Sequence, residues 1–92
     1  MLRFSLRLAE SGSLKDKRQV VRSVAQRIRN KFQVSVAEVA DNDAWRIATI
    51  GVACVSNEAA HCERILQEIV AFVEGSRLDA EVIDVETEVI GL

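Results

Sequence analysis

The chain is predicted to fold as an α+β sandwich in which two helices cover one face of a four-stranded antiparallel sheet. Three features of the sequence carry that prediction. Residues 2–8, 33–41, 44–55 and 80–90 alternate or run apolar as strands do. Residues 13–32 and 57–74 repeat their apolar positions at helical spacing. The two kinds of segment follow the order strand, helix, strand, strand, helix, strand, which is the split βαβ or ferredoxin-like βαββαβ arrangement. With 92 residues, no proline and no low-complexity stretch, the chain reads as a single domain over 1–92.

The first strand, LRFSLRL, sends Leu2, Phe4, Leu6 and Leu8 to one side and Arg3, Ser5 and Arg7 to the other. Ala9 to Gly12 turns the chain into a helix with Ser13 at the N-cap position and Asp16 placed as a weak capping box. On a helical wheel Leu14, Val21, Val24, Ala25, Ile28 and Phe32 share one arc, which predicts the buried face. A valine-rich strand, a turn at Asn42-Asp43 and a second strand apolar on both faces form a hairpin whose second strand is central. Asn57 is the predicted cap of the second helix. Cys62, Ile65, Leu66, Ile69, Val70 and Val73 are its predicted buried side, and Gly75 its left-handed stop. In this topology the last strand lies beside the first, so Arg3 and Arg7 face Asp84, Glu86 and Glu88.

Charge is divided along the chain although the net is only −2. Seven of the twelve basic residues fall between Ser13 and Phe32 with Asp16 as their one acid, while nine acids and two bases follow Asn57. On the wheel Lys15, Arg18, Arg22 and Arg29 form a row beside the buried arc, with Lys17 and Lys31 at its ends. Such a row is either a solvated face or a set of phosphate contacts. The scarcity of acids at i+4 favours the second, because solubilising helices mix signs. Lys15, Lys17, Arg18, Arg22 and Arg29 are therefore the candidate nucleic-acid-binding residues. Base stacking on the sheet is not expected, since Phe4 and Phe32 are assigned to the core and tyrosine is absent.

The segment from SLKDKR (13–18) through NKFQVSVAEV (30–39), Trp45 and the glycine-containing strand after it resembles the YlxP-like family of small bacterial proteins of unknown function. The resemblance extends to the closing EVIDVETEVI. It implies a ferredoxin-like fold, and the frequent encoding of bacterial members near translation and transcription factor genes implies a role close to RNA or the ribosome.

The remaining features point away from catalysis. The turn AESGS has one glycine where an anion-cradling loop needs several, and no Ser/His/Asp set or paired carboxylates appear, so neither enzyme activity nor a cofactor is expected. His61 and Cys62 are neighbours about 100° apart on a helix and read as a surface residue and a core residue. Cys54 and Cys62 are too far apart for a CxxC pair and read as reduced thiols. Trp45 is expected to close one end of the core, and Gly51 to leave room for a helix. With no apolar run long enough for a membrane span and no signal-peptide pattern, the expected location is cytoplasmic. Two other functions stay open: a homodimer or protein-interaction module using the free edge QVSVAEV, and a small-molecule regulatory domain.

Overall fold

A computed structural model describes residues 1–9, 12–76 and 80–90. Its elements are β1 (Leu2–Leu8), α1 (Leu14–Lys31), β2 (Ser35–Ala40), β3 (Ile47–Ala53), α2 (Ala59–Glu74) and β4 (Ala80–Thr87). The strands form one antiparallel sheet in the order β2-β3-β1-β4, the ferredoxin-like topology.

One face of the sheet meets the helices. Leu2, Phe4 and Leu6 of β1 and Ile50 and Val52 of β3 pack against Val24, Ala25 and Ile28 of α1 and against Leu66, Ile69 and Val73 of α2. Full burial of each large side chain in this layer contributes about 1.5–3 kcal/mol. The predicted helical faces were slightly too wide, for Leu14, Val21, Phe32, Ile65 and Val70 lie half-buried at the margins. The start of α1 follows the predicted chemistry: Ser13 Oγ accepts from the Asp16 amide at 3.1 Å, and Asp16 Oδ2 accepts from the Gly12 amide at 3.2 Å. At its other end Phe32 meets Phe72 edge to face, with ring centroids 5.8 Å apart.

The second helix departs from expectation at both ends. Its N-cap is Glu58, which makes no side-chain cap bond, and Ser56 Oγ accepts the Glu58 amide instead. Gly75 is the C-cap as expected but takes a right-handed conformation, φ −81° and ψ −7°, its N–H donating to the Ala71 carbonyl, and Ser76 Oγ donates to the Phe72 carbonyl at 2.8 Å.

The open face of the sheet holds the charged residues of β1. Arg3 pairs with Glu86 and Arg7 with Glu81, and Arg7 Nη1 lies 3.5 Å from Glu81 Oε2. Glu81 thus takes the place expected of Asp84, which stands at a bulge in β4 with φ 50°. Gly51 also lies on this face, opposite Arg3 and Ala37. A Cβ there would meet Val39 Cγ1 at 2.8 Å, so Gly51 makes room for a neighbouring strand's valine and not for a helix. Trp45 does not close the core. Strand β3 begins only at Ile47, and Trp45 is 55% exposed in the turn before it.

Candidate nucleic-acid interface

Helix α1 lies over β2 and β3, which sets its basic row beside the free edge of the sheet. Lys15, Arg18, Arg22 and Arg29 are all exposed on it. Among the described residues no carboxylate lies within ion-pair distance of any of the four. Arg22, Gln26 and Arg29 form one wall of a groove whose other wall is Val36 and Ala37 of β2. Arg29 is held across it, its Nη2 donating to the Val36 carbonyl at 2.6 Å. That contact covers one backbone acceptor on the edge strand and fixes the guanidinium at the mouth of the groove. The ridge therefore offers three untethered cations and one tethered one.

Lys17 does not belong to this surface. Its side chain is fully buried, with Nζ 2.9 Å from Glu38 Oε2 and donating to the carbonyl oxygens of Asp41 (2.6 Å), Asn42 (3.0 Å) and Ile47 (3.4 Å). The three carbonyls use the ammonium's three protons. Glu38 Oε2 consequently receives the charge without a directional hydrogen bond of its own. The physical reason for the burial is geometric: at about 100° per residue Lys17 falls between Val24 and Ile28, inside the apolar arc. Its role is to hold the β2–β3 turn against α1. Thr49 braces the same turn from the other side of the sheet, donating from Oγ1 to Asp41 Oδ2 at 2.6 Å. Since that hydroxyl proton is committed, Ser5 Oγ donates to Thr49 Oγ1 at 3.0 Å, and a chain of hydrogen bonds runs from β1 to the turn.

The other basic residues of α1 lie off the row. Arg27 and Lys31 are on the far side of the helix, where Lys31 Nζ sits 4.7 Å from the centroid of the Phe72 ring. His61 is exposed, its Nδ1 3.1 Å from Arg64 Nη2. No group of three His, Cys, Asp or Glu side chains suited to a metal ion occurs among the described residues. No helix among them is long and apolar enough to cross a membrane.

Residues 1–87 match the family described as "Protein of unknown function (DUF503)". The chain belongs to that family. It is 38% identical over 65 residues to the "Uncharacterized protein YlxP" of Bacillus subtilis (strain 168), an alignment that covers 71% of each chain. This DUF503 member therefore shares with that relative most of its length, and the family match takes in both the basic helix and the edge strand beside it. The sequence motif SLKDKR, which carried the resemblance, divides in the structure into exposed members, Lys15 and Arg18, and one buried member, Lys17. Sequence reasoning missed the groove residue Gln26 and the tether on Arg29, because neither a side-chain amide nor an exposed strand carbonyl signals its neighbour across the fold.

Proposed function

We propose that this protein is a non-enzymatic RNA-binding protein that meets RNA or a ribosomal particle through Lys15, Arg18, Arg22 and Arg29. The observation that supports the reading is the exposure of Arg18 and Arg22 without a carboxylate partner among the described residues. Free guanidinium groups along one ridge supply spaced, bidentate donors to phosphate oxygens. With aromatic residues absent from the open sheet face among the described strand residues, the contact is to backbone and shape, not to stacked bases. For about four phosphate contacts, log affinity falls against log salt with a slope near −3. A binding titration of structured RNA at several salt concentrations measures that slope. Arg18→Glu, Arg22→Glu and Arg29→Glu together abolish binding while circular dichroism is unchanged, and a triple variant that still binds refutes α1 as the site.

One observation favours a second reading, a homodimer through β2. Glu38, the one acid in β2, points inward to Lys17, and Val39 is left 53% exposed beside Ala37 and Ala53. Light scattering separates the two: a stable dimer indifferent to nucleic acid supports edge pairing, and a monomer that gains mass with RNA supports the first reading.

A further inference from the structure

The end of β3 and the start of α2 bring together two residues that the sequence holds eight positions apart. Cys62 Sγ lies 3.7 Å from Cys54 Sγ and 3.6 Å from the Cys54 carbonyl oxygen, so the Cys62 thiol is directed at its neighbour. The sulfurs are in van der Waals contact. A disulfide bond needs about 2.05 Å, so the two sulfurs must still approach one another to close it. Both cysteines line a cleft of about 540 Å³, together with Val55, Ser56, Asn57, Met1 and Ile90. Cys54 is half-buried and Cys62 buried, so Cys54 is the more accessible thiol.

We propose that Cys54 and Cys62 form a reversible dithiol–disulfide site that reacts with low-molecular-weight disulfides of the glutathione type. In the first step the Cys54 thiolate attacks one sulfur of the small disulfide, forming a mixed disulfide and expelling one small thiolate. Cys62, having lost its proton to solvent, then attacks Cys54 Sγ, closing the intramolecular bond and expelling the second small thiolate. Two electrons pass from the protein thiols to the small disulfide, and the two protons they release end on its two halves. Burial, followed by the hydrogen bond and the charge of Cys62, pushes the Cys54 thiol above its ordinary range, while the amino terminus of Met1 opposes the shift. The attacking thiolate is therefore scarce at neutral pH, and the rate of closure rises as pH is raised through the thiol range.

The site is tested by incubating the full chain, native and reduced, with oxidised glutathione at several pH values. Mass spectrometry, peptide mapping and gel filtration follow the products. The expected product has lost both titratable thiols together and about 2 Da in mass. It yields a cross-linked 54–62 peptide, remains unlinked to other chains, and is restored by dithiothreitol. In Cys62→Ser the glutathione adduct on Cys54 persists. A wild-type chain that accumulates the adduct, links to a second chain, or keeps both thiols under conditions that consume a free-thiol control overturns the proposal. Those readings are made on the wild-type chain and stand even where the variant fails to fold.

Discussion

Lys17 shows how one side chain can be legible in position and misleading in chemistry. Its place on the wheel is in the buried arc, and strand alternation puts Glu38 on the same inward face as Val36. The two charges thus announce each other across α1 and β2, yet a lysine within a run of arginines reads as one more surface cation. Its burial is stabilised by Glu38 and three carbonyls, and removing one partner strands the other. Lys17→Met is expected to lower unfolding stability by about 3–5 kcal/mol, measured by urea denaturation. Adding Glu38→Gln should return a substantial part of that loss; a double variant as unstable as the single one would show that the carbonyl contacts, not the ion pair, dominate. Trp45 was illegible for a different reason. Its exposure depends on where β3 begins, and the bulge at Val39 together with Asp41 in the left-handed region, φ 59°, lengthens the turn before it.

At the scale of elements, the parts best read from sequence were those fixed by local chemistry. Helix α1 was placed by a side chain that binds its own backbone and by a period that survives any tertiary context. Ser13→Ala is expected to cost about 0.5–2 kcal/mol, with the loss of helicity seen first at the N-terminus by amide exchange. The ends of α2 were misread in part: Glu58 and not Asn57 is the N-cap, with Ser56 Oγ accepting its amide, while Gly75 is the C-cap as expected but right-handed, with Ser76 Oγ donating to the Phe72 carbonyl. The pairing of β1 with β4 was legible from topology, but its register was not, since the bulge opposite Phe4 and Ser5 shifts the acids by one position. Glu81→Gln should lower stability by less than about 1 kcal/mol at low salt, and the difference should close as salt is added.

For the whole molecule, the four candidate contacts that remain on the ridge were legible as a row, but their lack of a carboxylate partner among the described residues was not. Whether an arginine meets an acid depends on which segments the fold makes neighbours, and the acid-rich second half lies elsewhere. The sheet order puts β4, with Glu81 and Glu86, at the edge opposite β2 and its basic helix. Distribution, not net charge, is then the controlling quantity. Arg18→Gln and Arg22→Gln combined with Glu86→Gln and Glu88→Gln leave the formal charge at −2. RNA affinity is nonetheless expected to fall, with the salt slope reduced by about 1.5–2 as two phosphate contacts vanish. An unchanged titration would mean that the ridge does not contact phosphate. Such a two-sided molecule near a polyanion also feels a torque: attraction at one flank and repulsion at the other turn it before it touches, so that it arrives already facing the right way.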